Sequence, residues 1–369
     1  MEPAGLYIHV PFCRGKCPYC DFFSVCAPRR VPAFLADLRA EIELVRDAMG
    51  TFDTLYIGGG SPSALAPAEL AALLSMARDA LSSRTAGPLE LTVELNPADV
   101  GPELLDVLRR AGVNRLSLGV QSFDDRALRL LGRRHDAAGA LAAVEAIRAA
   151  GFDNLGLDLI HDLPGMHPGG WRRTLERAVS LRPEHLSCYA LTIADRTPFG
   201  RMRARGALEL PDEEECAEMF RLSGAILEEA GYDHYEVSNF ARVPGLRARH
   251  NRKYWRRIPT LGLGPGAHGF DGVRRTWNLA DLDAYHRALA AGRRPLEGAE
   301  DITPAQARLE TIALGMRTAE GVRLDAVQPA DPETVDGLIA ERVVYLERGR
   351  LRPTRRGYPV ADAIAARLA

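Results

Sequence analysis

Residues 6–24 read LYIHVPFCRGKCPYCDFFS. A strand-length apolar run leads into Cys13, Cys17 and Cys20, spaced by three residues and then two, and a long helix-period segment follows. Thiolates this close together suit an iron–sulfur cluster. A 4Fe–4S cluster needs four ligands, so three cysteines would leave one iron open to a partner that is not protein. Structural zinc is the competing reading. It generally takes four Cys or His ligands, often as two paired knuckles. No second CxxC pair exists in the chain, although His9 could serve as a fourth ligand.

Working outward, LYIHV (6–10) is the first of six similar runs. The others are TLYIGG (54–59), ELTVEL (90–95), RLSLGV (115–120), NLGLDLI (154–160) and HLSCYAL (185–191). Each is strand length and ends in a turn or polar residue, and helix-period segments lie between them. Val31, Phe34, Leu35, Leu38, Ile42 and Val45 make one apolar helix face. Leu104, Leu105 and Leu108 make another, closed by Gly112 as a C-cap. Repeated strand–helix alternation predicts an α/β parallel architecture. An open doubly wound sheet and a barrel both fit. The unusual residues fall at the C-terminal ends of all six runs, as in a barrel mouth, whereas an open sheet gathers its ligand at one switch point. The reading favoured is a partial (βα)6 TIM-like barrel, open on one side.

Three regions are expected: the barrel over 1–205, its completion and a connecting segment over 206–300, and a separate unit over 301–369. The second region holds an acid-rich helix (212–230), YEVSNFA (235–241), HNRKYW (250–255) and LGLGPGAHGF (261–270). In the third, helices near 304–315 and 332–341, a hairpin turning at Gly349 and a helix from about 357 suggest a winged-helix-like module. Arg348, Arg350, Arg352, Arg355 and Arg356 make its wing basic, yet a solvated packing domain explains them better than nucleic acid. The formal net charge is −2 and the pI about 6.5, with no overall basic footprint. No apolar run approaches the length of a bilayer span, and no signal peptide is seen. A cytoplasmic protein is expected, with at most peripheral membrane association. A reducing compartment favours metal binding over disulfides for clustered cysteines; Cys26, Cys188 and Cys216 read as buried or incidental thiols.

CRGKCPYC resembles the signature of the radical S-adenosylmethionine enzymes. YIHVPFC, GGGSP (58–62), VELNP (93–97), GVQSF (119–123), LGRRH (131–135) and LDLIHDLPG (157–165) resemble, in order, the blocks of the oxygen-independent coproporphyrinogen III oxidase group. The resemblance implies a 4Fe–4S cluster on Cys13, Cys17 and Cys20, with S-adenosylmethionine bound to its open iron. It places Tyr7, Tyr19, Gly59, Gly60, Ser61, Glu94, Gln121, Arg133 and Asp158 around that cofactor. Physical roles suit these types. Glycines let backbone groups come close, and a lone GGG also reads as a tight turn. A carboxylate accepts from hydroxyls or ammonium, and Arg133 offers a fork for a carboxylate. Ala190 also matches a contact position, but a buried small residue accounts for it equally well.

Two departures separate this chain from the oxidases. They carry a fourth cysteine where Phe22 stands here, and an N-terminal extension that this sequence lacks. Both features match instead the HemW-type haem chaperones, which bind haem and pass it to haem-accepting proteins. HNRKYW resembles an HNxxYW motif of that branch. His250 is therefore the candidate haem ligand, with Tyr254 and Trp255 beside the porphyrin and His268 a lesser candidate. Haem, haem-accepting proteins and an electron donor are the implied partners. Oxygen-independent coproporphyrinogen III oxidation is the alternative activity; no residue is assigned as catalytic.

Overall fold

The computed structural model describes residues 2–46, 50–82, 84–327 and 332–369. Six parallel strands form its centre: β1 (Ala4–Val10), β2 (Phe52–Gly59), β3 (Thr85–Leu95), β4 (Arg115–Gln121), β5 (Leu155–His161) and β6 (His185–Ala190). They lie side by side in chain order. The helices between them are α1 (Val31–Val45), α2 (Pro67–Leu81), α3 (Pro102–Arg110), α4 (Asp125–Leu130), α5 (Ala137–Ala149) and α6 (Pro168–Ser180). Strand order never reverses, so right-handed crossovers send every helix to one face. The sheet has no switch point and curls around its other face as a partial barrel.

Alternation decides what each face holds. Leu6, Ile8, Val10, Leu55, Ile57, Val93, Leu116, Leu118, Leu157 and Leu159 are fully buried under the helices. Their neighbours Tyr7, His9, Tyr56, Glu94, Ser117 and Asp158 fall on the inner face. The strands are thus not apolar on both sides, as a doubly covered parallel sheet would be. The inner face is a polar cavity wall.

The region after residue 205 holds more strand than its sequence pattern suggests. It follows α7 (Pro198–Ala204) and opens with α8 (Glu213–Glu229). Strands β7 (Asp233–His234) and β8 (Asn239–Ala241) extend the β6 edge in antiparallel fashion. Helix α9 (Arg249–Trp255) comes next. Strand β9 (Thr260–Leu263) then pairs in parallel with the other side of β1. Antiparallel strands β10 (His268–Phe270), β11 (Arg274–Asn278) and β12 (Leu296–Asp301) complete a 12-stranded sheet, with α10 (Leu282–Ala290) between the last two. Glu41, buried on α1, ties this extension down. It accepts from Tyr285 Oη (2.6 Å), Asn278 Nδ2 (2.6 Å) and the Gly264 amide (2.7 Å).

Residues beyond β12 form α11 (Pro304–Gly315), β13 (Val322–Arg323), α12 (Pro332–Ala340), β14 (Val344–Glu347), β15 (Arg350–Pro353) and α13 (Ala361–Leu368). Ile312, Met316, Leu338, Leu351, Ile364 and Leu368 belong to a second hydrophobic core, separate from the barrel's. The hairpin turns on Arg348 and Gly349, both at positive φ. Its arginines are mostly engaged: Arg350 donates to the Glu320 and Gly321 carbonyls, Arg352 pairs with Glu347, and Arg355 pairs with Glu228. No helix among the described residues is long and apolar enough to cross a membrane.

Candidate functional site

The cysteine loop leaves the top of β1 and is pinned at its base by backbone bonds. Cys13 N donates to Val25 O (3.1 Å), and Val25 N to Pro11 O (2.7 Å). The glycine run ending β2 supplies the adjoining wall. Gly60 N donates to Val10 O and Ser61 N to Phe12 O, each at 2.8 Å. A Cβ on Gly60 would stand 2.7 Å from the Phe12 carbonyl oxygen, and one on Gly59 (φ +111°) 2.6 Å from the His9 ring. These glycines therefore make room for the start of the cysteine loop and for the His9 ring. His9 fixes the loop's far side, with Nε2 2.8 Å from Phe23 O.

Cys13, Cys17 and Cys20 are free thiols, each half-buried. Burial pushes the Cys13 thiol up to about 11 and raises that of Cys20 as well. A thiol so held needs a metal to become a thiolate near neutral pH. Among the described residues no three Cys, His, Asp or Glu side chains gather around one point, as a single zinc ion would require. A cluster whose irons each take their own thiolate makes no such demand.

Below the loop, the inner face carries two carboxylates. Glu94 accepts from Tyr56 Oη (2.7 Å) and the Gly59 amide (3.2 Å), and Asp158 accepts from Ser117 Oγ (2.9 Å). Burial pushes Glu94 up to about 7, with the charge of Asp158 adding to the rise. Asp158 is raised too, again chiefly by burial. Arg133 stands beside Cys17. Its Nη2 donates to Gly119 O (2.7 Å), Nη1 lies 3.6 Å from Cys17 Sγ, and Nε is buried with no partner. Two buried carboxylates and a guanidinium with an unused donor fit a ligand bearing both cationic groups and a carboxylate, as S-adenosylmethionine does. Gln121 ends β4 at φ +67°, a conformation costing about 1 kcal/mol or more in a non-glycine residue. Tyr19 packs its ring against Phe199. Ser61 Oγ sits 3.0 Å from Ser63 Oγ.

The two candidate haem histidines are placed very differently. His250 lies under the barrel, 1 % exposed, with Nδ1 2.8 Å from Thr54 Oγ1 and Nε2 3.0 Å from Tyr254 Oη. Burial, with help from Lys253, lowers its pKa to about 3. Its ring meets those of Tyr7, Tyr56 and Tyr254. The HNxxYW segment therefore closes the barrel floor, and neither imidazole nitrogen is free for iron in this conformation. His268, by contrast, is exposed on β10. Ala190, read as a buried small residue, is exposed at the end of β6 beside Tyr189. Of the remaining thiols, Cys188 is buried, Cys26 exposed and Cys216 intermediate.

Tyr56 and Ser117, which position the two carboxylates, carried no motif of their own. Their signal is alternation: each lies on the same strand face as a site residue.

Comparison with known proteins gives the family and the fold. Residues 7–178 match the radical SAM superfamily. Across its whole length the chain is 37 % identical to haem chaperone HemW of Mycobacterium tuberculosis, covering 95 % of that protein. It is 33 % identical to haem chaperone HemW of Lactococcus lactis, over 99 % of this chain and 97 % of the relative. The fold of coproporphyrinogen III oxidase (HemN) from Escherichia coli superposes with a TM-score of 0.83 at 22 % identity, covering 99 % of this chain and 90 % of that one.

Proposed function

Because the chain belongs to the HemW family of haem chaperones, within the radical SAM superfamily, we propose that it binds haem and delivers it to acceptor proteins, using a 4Fe–4S cluster and S-adenosylmethionine. Cys13, Cys17 and Cys20 hold the cluster. Arg133 takes the cofactor's carboxylate through its spare donor, and Glu94 and Asp158 balance its cationic groups. Tyr7, Tyr19, Gly59, Gly60, Ser61 and Gln121 shape the same wall. When bound, the cluster supplies an electron that can break the cofactor's sulfonium bond, which calls for an electron donor. The protein's own part is to hold the thiolates, orient the cofactor and keep bulk water from the floor with Tyr7, Tyr56 and Tyr254.

One observation carries the reading against the oxidase. Phe22 occupies the place of the oxidases' fourth cysteine and is 66 % exposed, in a chain similar to haem chaperones from end to end. The test is anaerobic reconstitution followed by incubation with coproporphyrinogen III, reductant and cofactor. A 4Fe–4S complement, haem uptake and no decarboxylated product are expected. Steady formation of protoporphyrinogen IX would replace the chaperone with the oxidase. A zinc-loaded, colourless chain would remove both.

A further inference from the structure

The chain has nine histidines. Eight engage at least one ring nitrogen in a hydrogen bond. Among the described residues His268 is the one whose imidazole has no such partner, and it is exposed. An unbonded, accessible imidazole keeps a nitrogen lone pair available to a metal.

Sheet register says which way it faces. Tyr56 pairs with Tyr7, and Tyr7 with Gly262. Phe270 pairs with Thr260 in antiparallel fashion, which sets His268 opposite Gly262. His268 pairs with Trp277, and Trp277 with Gly298. Residues paired directly across strands share a face. His268 therefore stands on the inner face, in one row with the two floor tyrosines and two strand spacings, about 10 Å, from Tyr7.

The same row supplies a flat shelf. The Trp277 ring stacks beside His268 at 6.3 Å and 25°. It lies over Gly298, where a Cβ would stand 2.3 Å from Trp277 Cζ2. Gly262, on the other flank, also lacks a side chain; a Cβ there would fall 2.1 Å from the His268 carbonyl oxygen. An accessible imidazole beside an indole plate, on strands that approach closely because Gly262 and Gly298 carry no side chain, suits a planar, apolar metal complex. Imidazole is a common axial ligand of haem iron, and an aromatic plate buries a large apolar area against a macrocycle.

We propose that His268 ligates the iron of the haem cargo, with Trp277 beneath the porphyrin, on the open flank of the barrel next to the cofactor cavity. This rests on the haem-carrying function above. His250 then acts as a structural residue of the floor.

The test is anaerobic titration of the full-length chain with hemin, followed by Soret absorbance. Wild type gives a shifted band. His268→Ala loses that band and binds roughly tenfold or more weakly, and in His268→Gly added imidazole restores it. His250→Ala, where circular dichroism shows it folded, keeps the band. A His268→Ala spectrum and affinity equal to wild type, with wild type binding hemin, overturn this assignment and leave the chaperone function standing. No binding by wild type overturns both.

Discussion

Glu94 stands under opposed demands. Its folded pKa, about 7, is raised above the ordinary carboxylate value by burial. The folded chain therefore holds a proton that the unfolded chain has already released between about pH 4.5 and 7. Across that window stability falls as pH rises, by about 3 kcal/mol in total at 1.36 kcal/mol per pKa unit. Below it the penalty is absent, and above it the penalty is complete. Ionised Glu94 is also the form that attracts a sulfonium or ammonium group. Glu94→Gln keeps an acceptor for Tyr56 but cannot ionise. It should raise thermal stability at pH 8, leave it nearly unchanged at pH 4.5, and weaken S-adenosylmethionine binding at pH 8. Calorimetric melts and cofactor titrations at both pH values check this. An equal Tm change at both would show that Glu94 ionisation carries no such cost. The carboxylates and Arg133 could be picked out of the sequence as candidates because they lie within recognisable blocks, Glu94 on β3, Asp158 on β5 and Arg133 in the turn after α4. The burial of His250 was not, because Thr54, which binds its Nδ1, lies 196 residues away.

Elements were legible where an apolar period marks them. The six long strands and the amphipathic α1 follow directly from apolar periodicity. Strands β7 and β8 are two and three residues long, too short to show any period. Nor did the α1 pattern reveal Glu41, an acid amid its apolar face. Its partners come from β11, α10 and the turn after β9, so only the tertiary structure explains it. That network makes α1 the fastener of the sheet extension that carries His268 and Trp277. Tyr285→Phe removes one donor from a buried carboxylate whose pKa is already raised by burial. The loss should be about 1–3 kcal/mol. Urea unfolding measures it. A change below a few tenths of a kcal/mol would mean that the network does not hold the extension in place.

At the scale of the whole molecule two cores meet across a polar seam. Backbone bonds bridge it, from Val237 N to Arg317 O (2.8 Å) and from Ala319 N to Tyr235 O (3.0 Å). Beside them Glu310 of α11 is held by Arg257 Nε (2.9 Å) and Arg275 Nη2 (2.8 Å). The two guanidiniums keep its pKa below the ordinary value despite partial burial. Its contribution is therefore present above the unfolded pKa of about 4.5 and is lost as pH falls through the lower folded value. Partial exposure limits that contribution to about 1 kcal/mol. Arg275 lies on β11, the strand that carries Trp277, so the seam joins the C-terminal unit to the proposed haem flank. Separate cores imply separate local stabilities. Glu310→Gln should accelerate amide hydrogen exchange in α11 and β11 at pH 7, leave β2 to β5 protected as before, and have a shrinking effect as pH falls below about 4.5. Uniform acceleration across both cores would mean that the chain opens as one cooperative unit.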